Sequence, residues 1–243
     1  MKIIITSLLV VILSSAQAMD KTHILVITGG HTYEQESFRK MWDSFNELEV
    51  HYAEHPNAND LYALEKMKRI DVLVFYDMVQ EITPDQKQAL VNLLQTGKGM
   101  VFLHHSLASY QEWDHFFDIV GGRYLLKAQT LMNNSYPAST YQHDVNIPVN
   151  IVKKDHPITK GLQNWTLYDE GYGNIVVKPD VTVLLTTDHP ASSRELVWCH
   201  KLYNARIVTI QPGHDHHAYE DKNYQKLLIQ AIEWAKNSKT PSQ

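Results

Sequence analysis

The sequence predicts an α/β fold: a doubly wound, mostly parallel sheet covered by helices on both faces. Three observations carry this. Continuous apolar runs, HILVIT (23–28), DVLVFY (71–76) and MVFLHHS (100–106), have the character of strands buried on both sides. Helix-like segments separate them, which is the strand–helix alternation of a parallel sheet. With 243 residues, 44% of them hydrophobic, the chain can bury one sizeable core.

The elements follow in order. Residues 1–18, MKIIITSLLVVILSSAQA, place Lys2 before an apolar run too short to span a bilayer, and end in Ala16-Gln17-Ala18. That pattern predicts a secretory signal peptide, so the expected product is exported, periplasmic or secreted, with no membrane insertion after cleavage. A single domain is expected over 19–243. After HILVIT comes a helix from about Tyr33 to Leu48, then the strand VHYAE, a helix near Asp60 to Lys68, and DVLVFY. Thr83-Pro84-Asp85-Gln86 is a capping box with proline at the first helical position, opening a helix to Gln95. Thr96-Gly97-Lys98-Gly99 ends it and MVFLHHS follows.

The second half is less regular, with an irregular insertion expected around 121–175. QHDVNIPVNIV alternates like an antiparallel strand, and HPITKGL reads as a turn with a short helix. VTVLLTT, ELVWCHKLY and RIVTIQP are three further strands, and an amphipathic helix from about Asn223 to Lys236 closes the chain.

Composition narrows the function classes. The formal charge is −5, and removal of Lys2 with the signal leaves 21 basic against 27 acidic residues. With no basic block, nucleic acid and anionic membranes are not expected partners. Cys199 is the only cysteine, so no intrachain disulfide can form; in Val197-Trp198-Cys199 it reads as a packing group. Fourteen histidines and thirteen tyrosines suit a polar, partly aromatic cleft of the kind that holds a small-molecule carbohydrate.

In an open parallel sheet, ligands bind beyond the carboxyl ends of the strands. Those ends deliver Gly29-Gly30-His31, Tyr76-Asp77, His104-His105-Ser106 and Gly213-His214-Asp215, with Tyr168-Asp169-Glu170 arriving from the insertion. The expected substrate-binding set is His31, Tyr76, Asp77, Asp169 and Trp198. The expected catalytic set is His214, Asp215, Glu170 and His104, with His214 as base oriented by Asp215 and Glu170 as acid or second base. His216 and His217 precede the last helix. No HExxH, paired CxxC, EF-hand or GxSxG pattern is present. No cofactor is therefore assigned; a divalent metal on His31, His104, His214 and a carboxylate is chemically allowed.

The motifs GGH (29–31), DVLVFYDM, GKGMVFLHHS, WDHFFDIVGG, DHPITKGL, YDEGYG, LVWCHKLYNARIVTIQPGHD and AIEWA resemble those of the trehalose-utilisation, ThuA-like family, over about Thr22 to Ala235. The resemblance implies a flavodoxin-like, class I glutamine amidotransferase-like three-layer sandwich and a role in carbohydrate metabolism. It marks His31, His104 at the nucleophile-elbow position, Glu170, His214 and Asp215. An amidotransferase carries cysteine at the elbow; Leu103-His104-His105 stands there instead, so glutamine hydrolysis is not expected. Leu202 to Arg206 replace a glycine-rich turn found in the family. Three readings stay open: acid–base chemistry on a glycoside, trehalose-like disaccharide or keto-sugar; a non-catalytic sugar-binding module; or a metal-dependent hydrolase. A homo-oligomer is compatible with each.

Overall fold

The computed structural model describes residues 21–236, so the signal-like segment 1–18 lies outside the described residues. Nine strands form one mixed sheet. Its parallel block runs β2 (Leu48–Glu54), β1 (Thr22–Gly29), β3 (Val72–Asp77), β4 (Gly99–Leu103), β13 (Ala205–Ile210). An antiparallel extension continues it through β12 (Glu195–Leu202), β11 (Thr182–Thr186), β8 (Thr140–Ile151) and β9 (Trp165–Gly173).

Alternation along the parallel strands builds two cores. Ile24, Val26, Val72, Val74, Val101 and Ile210 face one side, under α1 (Gln35–Asp43), α4 (His216–Glu220) and α5 (Lys222–Lys236). Leu25, Ile27, Leu73, Phe75, Phe102 and Ile207 face the other, under α2 (Pro84–Gln95) and α3 (Asp114–Val120). A strand buried on both faces has no polar side, which is why these segments read as unbroken apolar runs. The Thr83 capping box forms as expected, its hydroxyl accepting from Gln86 N while the Gln86 side chain accepts from Thr83 N.

Several elements differ from expectation. The helix near Asp60 to Lys68 is a short 3₁₀ turn, Ala58–Leu61, followed by further turns. Burial there falls at Ala58, Asn59, Tyr62, Met67 and Ile70, which no single helical stripe joins. HPITKGL makes turns without a helix. His216 and His217 precede the last helix, α5, and themselves open the short helix α4; Asp215 caps α4 by accepting from His217 N. The insertion is ordered: it holds β5 (Gly122–Arg123), the hairpin β6 (Gln129–Leu131) and β7 (Asn134–Tyr136), the long pair β8–β9, and β10 (Val176–Val177). Among the described residues no helix is long and apolar enough to cross a membrane.

Candidate functional site

β4 stops at Leu103 and the backbone turns sharply at His104, whose φ of 38° lies in the left-handed region. A non-glycine residue held there costs on the order of 1–3 kcal/mol and persists only where the surroundings impose it. Here they do. His104 is fully buried, stacked on Tyr172 at 4.3 Å, with Nδ1 2.7 Å from the Gln211 carbonyl and Nε2 3.0 Å from Glu170 Oε2. A carbonyl oxygen can only accept, so Nδ1 carries a hydrogen, and the Nε2–Glu170 contact needs one more proton between its partners. Burial works to raise the Glu170 carboxyl, but the hydrogen bond and charge of His104, with His214 and His143, hold it below the ordinary carboxylate value. Glu170 therefore takes the acceptor's part in this contact as a carboxylate.

Glu170's other oxygen faces outward. His143 Nδ1 lies 3.2 Å from Glu170 Oε1, and the His143 ring sits 4.8 Å from that of His214. These groups form one wall of a pocket of about 230 Å³, to which Tyr124, Leu126, Tyr141 and Tyr172 add an aromatic and apolar rim. His31 and His105 line the same pocket, their rings 4.2 Å apart. His31 Nδ1 donates to the Thr32 carbonyl at 2.7 Å, leaving Nε2 as an acceptor. His105 is buried, and desolvation, reinforced by His104, His31 and His214, pushes its imidazole well below the ordinary histidine value. It stays neutral, and its Nε2 finds no hydrogen-bond partner among the described residues.

The turn that presents His214 is tightly held. Asp169 is buried and accepts from Gly213 N at 2.7 Å and His214 N at 3.0 Å. Tyr76 Oη donates to the Gly213 carbonyl and Tyr219 Oη to that of His214, the two hydroxyls 2.6 Å apart. Gly213 has φ 123°, and a Cβ there would overlap the Tyr224 hydroxyl.

Of the residues expected from sequence, the pocket gathers His31, Glu170 and His214, with His104 directly behind. Five lie elsewhere. Tyr76 and Asp169 are buried braces of the 213–214 turn and do not face the pocket. Asp77 is buried and paired with His55 Nε2 at 2.9 Å. Trp198 is a core side chain whose indole donates to the Val120 carbonyl. Asp215 Oδ2 stands 3.7 Å from His214 Nδ1, outside hydrogen-bond distance, while its Oδ1 serves His217. The expected orienting role of Asp215 thus gives way to the Asp169 clamp on the backbone, and the lowered Glu170 carboxyl does not suit a general acid. His143 and His105 complete the site. His143 sits in an exposed, alternating strand, and nothing in its sequence neighbourhood separates it from a solvated histidine.

Beside the pocket and sharing Met78 with it lies a wider cleft of about 750 Å³, lined by Gly30, His55, Asn59, Gln80 and Gln86 among others. It holds no convergent set of ionisable groups, so the chemistry belongs to the smaller space. Three clusters among the described residues could hold a cation: His143–Glu170–His214 in the pocket, and His23–Glu49–His51 and Asp215–His216–His217 outside it. Cys199 is buried, its thiol pushed up to about 12 by desolvation, and lies away from the pocket.

No curated protein matches the chain. A ThuA-like protein from Parabacteroides merdae superposes with a TM-score of 0.75 at 18% identity, covering 92% of this chain and 93% of that one. A second ThuA-like protein, from Bacteroides uniformis, gives 0.68 at 18% identity, with 91% and 94% covered. PurLQS from Thermotoga maritima gives 0.54 at 10% identity over 88% of this chain and 99% of that one, and shares the fold alone. The fold is thus that of ThuA-like proteins and their glutamine amidotransferase-like relatives. Residues 23–235 match the sequence profile of the family described as trehalose utilisation, and the chain belongs to that family, ThuA.

Proposed function

We propose that the protein is an exported carbohydrate-processing enzyme that binds one sugar ring in the histidine-lined pocket and moves a proton on it. The observation that carries this is the convergence of two unlike sets of side chains on one space of about 230 Å³. One set, Glu170 with His143 and His214, combines a carboxylate that accepts from hydroxyls with imidazoles able to donate to oxygens. The other set, His31 with His105, offers the accepting Nε2 of His31. The space is smaller than the roughly 300–1,000 Å³ of sites for drug-sized ligands, which favours a single ring. The adjoining cleft supports a glycoside or disaccharide, whose second unit would lie past Met78.

In mechanism, His31 Nε2 serves as the base and the Glu170 wall fixes the oxygens next to the carbon that loses its proton. A keto-sugar suits this chemistry, since a ketone makes the neighbouring proton acidic. Family membership supports a carbohydrate substrate, and Lys2, the short apolar run and Ala16-Gln17-Ala18 support export.

The test is a thermal-shift screen against trehalose, simple glucosides and their 3-keto forms, followed by product analysis. On the sugar that shifts, His31→Ala should lower turnover by about 10²–10⁴-fold, the usual worth of a positioned base, with binding retained. Turnover untouched by the substitution would remove His31 from the mechanism. Binding without product after prolonged incubation would make the pocket a sugar-binding module.

A further inference from the structure

The pairing of β8 with β9 breaks at one place. Gln142 pairs with Gly171 and Val145 with Asp169, so two residues, His143 and Asp144, stand opposite the single residue Glu170. Asp144 takes the extra step with φ 59°. This is a β-bulge, the device by which a strand re-aims one side chain, and bulges concentrate next to active sites. Its effect here is to bring His143 Nδ1 to 3.2 Å from Glu170 Oε1.

That spacing is close to, and slightly shorter than, the spacing within a coordination shell. Two ligand atoms bonded to one tetrahedral ion at about 2.0–2.2 Å lie roughly 3.3–3.5 Å apart. His214 adds a third group, and the three donor atoms all lie within 4.8 Å of one another. They reach this point from three separate elements, β8, β9 and the turn after β13, so the convergence belongs to the fold rather than to a local run of sequence.

We propose that His143, Glu170 and His214 hold a divalent transition-metal ion, of the Zn²⁺ or Mn²⁺ class, in the pocket, with open positions turned to two neighbouring oxygens of the sugar. The inference deepens the carbohydrate reading above and rests on it for the identity of the bound oxygens. Two imidazoles and one carboxylate leave coordination positions for substrate, as catalytic rather than structural sites do.

The surroundings are those of a supported site. Glu170 Oε2 is held by His104 Nε2, itself fixed by the Gln211 carbonyl, which leaves Oε1 for the cation. The backbone of His214 is clamped by Asp169. Such outer partners set the orientation of metal-bound groups. Independently, His105 is 2% exposed, lines the same pocket, and has an Nε2 without a hydrogen-bond partner among the described residues. A buried unpaired imidazole nitrogen calls for a polar ligand in front of it, and a cation-bound hydroxyl supplies one. The His23–Glu49–His51 cluster lies on the regular β1–β2 pairing, outside the histidine-lined pocket, with His51 and Glu49 exposed.

The experiment uses the chain purified without a nickel column, stripped with a chelator, and titrated calorimetrically with ZnCl₂ and, separately, MnCl₂. One ion per chain is expected. His143→Ala and Glu170→Gln should each weaken binding by more than about 100-fold, and His104→Gln by about 10–100-fold, the range for an outer partner. A His23→Ala/His51→Ala double variant should bind like the parent. Far-ultraviolet circular dichroism confirms folding of each; His143 is half exposed, so its variant is the decisive one. No binding at millimolar metal by the folded parent overturns the site, as does binding that survives His143→Ala and disappears in the double variant. Thermal shift by sugar is read in parallel. Metal bound with no sugar response keeps the ion and removes the carbohydrate reading, whereas sugar response in a protein that takes no metal removes the ion and keeps that reading.

Discussion

Asp169 and Glu170 are neighbours in sequence and both buried, yet they do opposite work. Successive side chains of a strand point to opposite faces, so Glu170 enters the pocket while Asp169 accepts the two amides of the 213–214 turn. Burial pushes the Asp169 carboxyl above its ordinary range, against the pull of His104 and those amides. Asp169→Ala leaves two donors buried and unpaired, at about 1–3 kcal/mol each. At roughly 2–4 °C per kcal/mol for a chain of this size, the melting temperature should fall by about 4 °C or more, and His214 should lose its place. Differential scanning calorimetry checks the first effect and ligand binding the second; an unchanged melting temperature would mean that the clamp is not holding the turn. The sequence marks Asp169 and Glu170 together as an acidic pair, but a pair with one functional and one structural member looks the same on the page. Tyr76 hides its role for a similar reason: a strand-end tyrosine can reach a ligand, but here its hydroxyl is taken by the Gly213 carbonyl and Tyr219.

At the scale of the element, the parallel strands were legible because burial on both faces leaves an apolar signature that needs no context. β9 was not, since Trp165–Gly173 carries polar residues and glycines and becomes a strand only through its pairing with β8. His143 depends on the same pairing and on a bulge set by register, which composition does not encode. α3 offers an element-level prediction. Asp118 pairs with Lys178 at 2.5 Å and with His115 at 3.3 Å, tying the helix to the segment after β10. Burial raises its carboxyl, but the hydrogen bond and charge of Lys178, with help from His115, carry it below the ordinary value. The native form therefore holds its proton less tightly than the unfolded chain does. The stabilisation is full above the ordinary carboxylate value and is lost as pH falls through the lowered native one. Melting curves of the parent and Lys178→Met should differ by a constant amount near neutrality and converge in acid; a gap that persists at low pH would show that the ion pair is not its source.

For the whole molecule, stability rests on two cores on either side of one sheet, with no disulfide available. Cys199 faces the core that lies under α1 and α5, and its thiol is pushed up to about 12 by burial. A thiolate is the reactive species, so iodoacetamide at pH 8 should leave the native protein unlabelled and modify it fully in denaturant; mass spectrometry reads both states. Rapid native labelling would mean that β12 opens readily.

β13 lies between β4 and β12, in the middle of the sheet, although it is the last strand among the described residues. During synthesis β4 and β12 both exist before the strand that joins them has been made. Until residues 205–210 appear, Val101 and Phe102 on one edge and Val197 on the other have unpaired backbone beside them. Open apolar edges invite association with other chains. His31 and His214, which share the pocket, enter at opposite ends of the chain. A protein cut short before residue 205 would lack both the keystone of its sheet and one side of its site, so ligand binding reports completion of the whole fold.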